Sequence, residues 1–270
     1  MTFNFGTTIM KKINESPADT GDAPVIEVRD AVRIYKKSKK EFRALDGISL
    51  KVQKGEILGI VGESGSGKST MLKHIICLEK LTSGQLFFCG NEYTGARPKQ
   101  ICSHMQMIFQ DAVGSFDPQM KLSKAFKEIY PLISHCNDKQ GHVNEIIKNV
   151  GLSPDLLEKY PGQLSGGQCQ RMAIAKAVAV SPEILLCDEI TSALDVSVQA
   201  QIIRLMAELR AHMDISMIFV SHDLALVSSI CDRIMVFKDG RCVEEGTSRG
   251  IIEDPKEDYT KRLLSSVLMI

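Results

Sequence analysis

The sequence predicts an α/β fold with a mainly parallel core sheet, on three observations. Short apolar runs alternate with helix-like stretches from Val61 onward, as strands and crossover helices of a parallel sheet do. The run Ile184–Cys187 is apolar throughout, which marks a strand buried on both faces. A glycine-rich turn after Ile57–Val61 leads straight into a helical stretch, a strand–loop–helix order.

Residues 1–23 are polar and punctuated by Gly, Pro and Asp, so a flexible tail is expected there and a single domain over residues 24–270. Val25–Arg29, Gly47–Val52 and Glu56–Val61 are β-rich runs with polar or glycine breaks, which suggests hairpin-linked strands in an N-terminal antiparallel β-subdomain. The charge run Lys36-Lys37-Ser38-Lys39-Lys40 between the first two reads as a solvated loop. A helix is expected from Thr70 to about Cys77, and strands at Gln85–Cys89 and Met105–Phe109. The stretch from Lys121 to Tyr160 is polar, helix-like and broken at Pro131, Gly151 and Pro154, which suggests an inserted helical subdomain over about 121–165. A helix from Gly167 to about Val180 precedes the buried strand. After it, Val198, Ile202, Leu205 and Leu209 make one apolar stripe at i, i+4, i+7 and i+11. Met217–Val220 reads as another strand, and Arg233–Phe237 with Arg241–Glu244 as a closing hairpin around Asp239-Gly240.

Composition excludes several classes. The 270 residues carry 33 basic and 33 acidic side chains and are 44% hydrophobic, which suits a core-forming soluble chain and leaves no basic footprint for nucleic acid. No apolar run approaches the ~18 residues needed to span a bilayer, so a membrane role is expected to run through a partner. Lys11 and Lys12 are not followed by an apolar segment, which argues against a signal peptide. The eight cysteines lie at least 11 positions apart, with no CxxC or Cys/His cluster to suggest zinc or iron–sulfur. They read as reduced, mostly buried small hydrophobes.

The chemistry starts at Gly62-Glu63-Ser64-Gly65-Ser66-Gly67-Lys68-Ser69, which fits G-x-x-x-x-G-K-[ST] between strand and helix. Glycines let backbone N–H groups converge on phosphate oxygens, Lys68 can neutralise β/γ charge, and the Ser69 hydroxyl can ligate Mg²⁺. Such a loop needs an acidic partner for the metal and a group that organises water. Asp188 and Glu189, ending the apolar strand, are the candidates: Asp188 for Mg²⁺, Glu189 as base toward the attacking water. Leu164-Ser165-Gly166-Gly167-Gln168 offers a hydroxyl and two glycine amides at a helix start, which makes either an anion site or a polar cap.

That last run, placed between Lys68 and Asp188, resembles the signature sequence of ATP-binding cassette (ABC) ATPases. The resemblance covers roughly Val25 to the C-terminus and implies a P-loop NTPase of ABC type with Mg²⁺ and ATP as cofactors. It implies ATP binding by Tyr35, Gly62, Ser64, Gly65, Ser66, Gly67, Lys68, Ser69 and Thr70, with Tyr35 as the aromatic that stacks on adenine. On the residues alone, Tyr35 reads as a half-buried strand residue. Gln110 matches the glutamine loop that senses Mg²⁺ and contacts the transporter. Ser192-Ala193-Leu194-Asp195 matches the loop that touches the opposite subunit, and Ser221-His222-Asp223 the switch histidine near the γ-phosphate. Two positions depart from the family pattern. Ile190 stands where proline is usual, and Cys169 where glutamine or arginine is commoner; a reactive Cys169 would need a lowered thiol pKa.

One phosphate loop and one signature imply half a machine. In the resembled family ATP is sandwiched between two cassettes, so the expected partners are a second cassette, identical or paralogous, two transmembrane permease subunits and an extracytoplasmic solute-binding protein. The expected location is the cytoplasmic face of the membrane. Gln110 and the polar lobe around Lys121–Tyr160 are expected to form the docking face for the permease, so that substitutions at Phe116 weaken its hold. Gly114-Ser115-Phe116-Asp117-Pro118, and Asp254-Pro255 followed by Tyr259-Thr260 and Leu263-Leu264, resemble the oligopeptide/dipeptide/nickel importer subgroup. That suggests import of peptides or a nickel or metal-chelate solute, with an exporter cassette or a non-transport ABC ATPase as alternatives.

Overall fold

A computed structural model gives the fold and describes residues 23–37, 40–94 and 101–267. The expected tail lies outside the described residues but for its last position. Strands β1 (Ile26–Lys37) and β2 (Lys40–Val52) form one long antiparallel hairpin, from Ile26 opposite Val52 to Lys37 opposite Lys40. In β2, buried Ile48, Leu50 and Val52 alternate with exposed Ser49 and Lys51, the period of a sheet with one covered face. Of the lysine run, Lys36, Lys37 and Lys40 are strand rather than loop, and Ser38 and Lys39 lie outside the described residues. Its charge is carried on paired edges, with Lys36 Nζ 3.2 Å from Glu41 Oε1 across the hairpin.

Strand β3 (Ile57–Val61) is a second correction. All five of its residues are buried, and it pairs in parallel with strands far along the chain instead of forming a hairpin with β2. A run without polar alternation belongs between two covered faces, which a hairpin edge does not supply. Helix α1 (Lys68–Ile75) follows the glycine-rich turn. Strands β4 (Ser83–Phe88) and β5 (Asn91–Glu92) complete an antiparallel sheet in the order β2-β1-β4-β5.

A short helix α2 (Ile101–His104) leads into strand β6 (Met105–Ile108). The polar stretch that follows holds helices α3 (Leu122–Lys127) and α4 (Lys139–Asn149) with three 3₁₀ turns, around buried Phe126, Val143, Ile146 and Ile147. Helix α5 (Gly166–Val178) precedes strand β7 (Ile184–Asp188), and helix α6 (Val196–Met213) buries Ile202, Leu205, Met206 and Leu209. Strand β8 (Ser216–Ser221), helix α7 (Leu224–Ser228), strands β9 (Arg233–Lys238) and β10 (Arg241–Thr247), and helices α8 (Ser248–Glu253) and α9 (Asp258–Val267) finish the chain.

These elements fall into two compact units. Among the described residues, one unit holds 101–215 and the other 23–94 with 216–267. In the latter, β3 pairs in parallel with β8 and β9, and β10 returns antiparallel to β9. The turn between β9 and β10 is the two-residue Asp239-Gly240, both at positive φ (49° and 77°), as a tight hairpin of matching twist requires. In the other unit β6 and β7 pair in parallel. The fold is the expected α/β class.

Candidate functional site

The phosphate loop is built by close approach of backbone to backbone. Gly67 caps α1 at φ 105°, and a Cβ there would lie 2.4 Å from the Ala44 carbonyl oxygen of β2. A Cβ on Gly62 would lie 2.2 Å from the carbonyl oxygen of Phe237. Both positions admit only glycine. The β9–β10 turn braces the same loop: Gly240 N–H donates to the Ser66 carbonyl (3.1 Å), and Asp46 N–H to the Gly240 carbonyl (2.8 Å).

Inside this frame Lys68 is buried, and its ammonium donates to the carbonyls of Gly62 (2.7 Å) and Glu63 (2.9 Å). A full charge is thus held over the loop at the positive end of a helix. The buried Ser66 hydroxyl has no hydrogen-bond partner among the described residues. An orphaned hydroxyl beside a buried ammonium is what an oxyanion would satisfy, so these residues fit a bound phosphate chain. Ser64 and Gly65 are exposed at the tip, and Ser69 and Thr70 are half-buried in the first turn of α1.

Parallel pairing brings His222 to the same sheet edge. Val61, just before the loop, is in register with Ser221, just before His222. His222 is exposed there, and Asp223 caps α7 by accepting the Leu226 N–H at 3.0 Å. One participant was not legible as such in the sequence: the Tyr259 hydroxyl of α9 accepts the Glu63 N–H of the loop at 3.1 Å. The pair lies 196 positions apart, beyond any local signal.

Tyr35 is half-buried in β1, its hydroxyl donating to Glu79, with the Arg33 guanidinium 4.4 Å from the ring centre. One ring face is therefore taken by Arg33. Tyr35 pairs with Phe42, two residues from Ala44, so the aromatic pair stands about 7 Å along β2 from the strand position that meets Gly67.

The unit 101–215 holds the acidic group by itself. Asp188 ends β7 and is buried; Glu189 follows in a left-handed conformation, φ 47°. Ser192 holds it from behind, its N–H and hydroxyl donating to the Glu189 carbonyl at 3.1 and 3.0 Å. Gln110, two residues beyond β6, donates from Nε2 to Glu189 Oε2 and to the Ser192 hydroxyl, both at 3.2 Å. Gln110, Glu189 and Ser192 are thus brought into one network. Ala193 and Asp195 are exposed and Leu194 half-buried; Asp195 caps α6 through the Val198 N–H at 2.9 Å. The Ser197 hydroxyl and that N–H hold its carboxyl below the usual range.

Ser165 and Gln168 cap α5 reciprocally: the Ser165 hydroxyl accepts the Gln168 N–H (3.3 Å) and Gln168 Oε1 accepts the Ser165 N–H (3.0 Å). The capping box leaves the hydroxyl proton of Ser165 to donate outward, beside exposed Gly166 and half-buried Leu164 and Gly167. A Cβ on Gly167 would sit 2.9 Å from Val198, so the signature packs closely on the start of α6. Cys169 is buried against the Ala112 carbonyl, and burial pushes its thiol up to about 11. It is not a reactive thiolate.

A family model for the ABC transporter matches residues 45–192. The chain is 40% identical over 248 residues to the oligopeptide transport ATP-binding protein OppF of Escherichia coli, covering 89% of this chain and 74% of that one. It is 42% identical over 236 residues to OppF of Lactococcus lactis, covering 83% and 72%. Among solved structures, the dimeric post-hydrolysis state of the ATP-binding cassette MJ0796 bound to ADP and Pi is similar with a TM-score of 0.73 at 30% identity, over 83% of this chain and 99% of that one.

Proposed function

The chain belongs to the ABC transporter family of ATP-binding cassettes, and from that premise we propose that it drives peptide import across a membrane. It is an ATPase. The observation that carries the reading is the phosphate loop, with its buried ammonium and a Ser66 hydroxyl that has no partner among the described residues, in a chain so similar to oligopeptide transport ATP-binding proteins. Peptide is preferred over a metal chelate as cargo because the named relatives are oligopeptide proteins.

In this reading Gly62, Ser64, Gly65, Ser66, Gly67 and Thr70 wrap the phosphates, and Lys68 trades its two carbonyl partners for phosphate oxygens. Tyr35 supports adenine on the face opposite Arg33. Ser69 in the one unit, and Asp188 with Gln110 in the other, carry the oxygen donors proposed for Mg²⁺, which would neutralise phosphate charge. Glu189 takes the proton of the attacking water, and His222 stands by the γ-phosphate. Leu164, Ser165, Gly166, Gly167 and Gln168 serve the nucleotide of a second cassette, identical or paralogous, and Ser192, Ala193, Leu194 and Asp195 touch that partner. ATP then joins the two cassettes, and hydrolysis with phosphate loss releases them. The remaining partners are two permease subunits and an extracytoplasmic solute-binding protein, with no nucleic acid. The chain works as a peripheral subunit at the cytoplasmic face; no described helix is long and apolar enough to cross a membrane.

One residue expected at the docking face is not available there. Phe116 is only 4% exposed, and its N–H closes a turn onto the Val113 carbonyl. Phe109 and Val113, 39% and 44% exposed on either side of Gln110, are the apolar groups available to a permease. The test is reconstitution with permease, solute-binding protein and paralogous cassette, following labelled oligopeptide uptake with ATP. Uptake that depends on ATP is expected; ATP-driven efflux, or hydrolysis indifferent to peptide, would overturn import. Phe109→Asp with Val113→Asp is expected to abolish copurification with the permease while the far-ultraviolet circular dichroism stays unchanged.

A further inference from the structure

In the unit 101–215, folding assembles a group that cysteine spacing does not reveal. His135 and Cys136 lie in the segment before α4, and His142 lies in its first turn. One donor atom from each side chain lies within 4.8 Å of the others. The two Nε2 atoms are 3.2 Å apart, with ring centres at 4.6 Å and planes at 83°. Two nitrogens bonded at ~2.0–2.1 Å to one tetrahedral ion stand about 3.3–3.4 Å apart, nearly the spacing found here. We propose that His135, Cys136 and His142 form a site for one zinc-class divalent cation, with water in the fourth position.

Three features support the site beyond proximity. Two imidazoles and a thiol select a borderline-soft ion such as Zn²⁺ over Mg²⁺ or Ca²⁺, which take oxygen donors. The segment is anchored at both ends: Lys139 Nζ donates to the Tyr130 carbonyl (2.6 Å), and Asp138 accepts the Gly141 N–H (2.8 Å) at the start of α4. All three side chains are half-buried, so an ion can enter from solvent and keep a water. In the metal-free chain His142 Nε2 lies 2.9 Å from the Ala179 carbonyl oxygen. Ligation through that nitrogen requires the tautomer protonated on Nδ1, and the Cys136 thiol releases its proton to solvent. The ion then staples the α3–α4 connection to the start of α4.

The experiment uses the full chain, stripped with chelator and free of nucleotide, titrated with Co²⁺ as a spectroscopic probe and then with Zn²⁺. Expected are one equivalent of Co²⁺, thiolate-to-metal charge-transfer absorption, tetrahedral ligand-field bands, and displacement of all of these by Zn²⁺. Cys136→Ser should lose the charge-transfer band, and His135→Asn or His142→Asn the one-equivalent binding. Zn²⁺ should raise the melting temperature of the wild type but not of these variants. A charge-transfer band that survives Cys136→Ser would assign the metal to another of the cysteines and overturn the proposal. So would the absence of stoichiometric binding. Metal-free melting curves of the variants show whether each remains folded, and Cys136→Ser retains a donor for the Asp138 carbonyl that the thiol now approaches at 3.8 Å.

Discussion

Glu189→Gln is expected to slow steady-state ATP turnover by about 10²–10⁴-fold, the loss typical of a missing general base, while ATP binding persists. The side chains are of equal size, and a carboxamide oxygen can still accept from Gln110 Nε2, which now reaches Glu189 Oε2 at 3.2 Å. What the amide cannot do is take a proton from water. The phosphate loop, its glycines and Lys68 keep their own residues in the variant, as parts of the other unit. In the proposed scheme ATP joins two cassettes and hydrolysis parts them, so the variant should accumulate as an ATP-bound dimer. Size-exclusion chromatography with Mg-ATP, run with phosphate release and with the second cassette of the transporter present, checks both halves. Near-normal turnover in the glutamine variant would remove Glu189 from the base role and turn attention to His222.

Lys68→Ala is expected to erase ATP-dependent stabilisation. Ligand at about 100 times its dissociation constant stabilises a folded chain by about 2.7 kcal/mol, which the wild type should show as an upward shift in melting temperature. The alanine variant loses the ammonium that lies over the loop and leaves the Gly62 and Glu63 carbonyls to other partners, so its ATP-free melting point moves as well. The quantity to compare is therefore the increment on adding ATP, each protein against itself. An undiminished increment in the variant would place nucleotide binding elsewhere.

What the sequence showed was local. A strand, a tight glycine turn and a helix start are consecutive, so the phosphate loop could be read residue by residue, and so could Asp188-Glu189 at the end of an apolar run. The Asp239-Gly240 turn was equally plain, since two positive-φ residues between strands leave few alternatives. What stayed hidden depended on partners distant in the chain. The pairing of β3 with β8 rather than β2 follows from burial on both faces, which an apolar run hints at but a neighbouring β-rich segment obscures. The Tyr259 hydroxyl that holds Glu63, the burial of Phe116, and the meeting of Cys136 with His142 are products of packing. Tyr259 was visible only as part of a subgroup resemblance, and no periodicity or motif linked it to the loop.

The left-handed backbone of Glu189 has a bearing on how such a chain could be engineered or drift. A side chain with a Cβ pays roughly 1–2 kcal/mol to occupy that region, and glycine does not. Ser192 and Gln110 restrain the residue there, so the fold gives up stability to aim a carboxylate. With Glu189 as the proposed base, thermostability and turnover pull in opposite directions at this one position. A selection that rewards only heat resistance would favour glycine at 189 and enrich cassettes that survive longer and do nothing, so any stabilisation campaign on this chain has to score ATP turnover at every round.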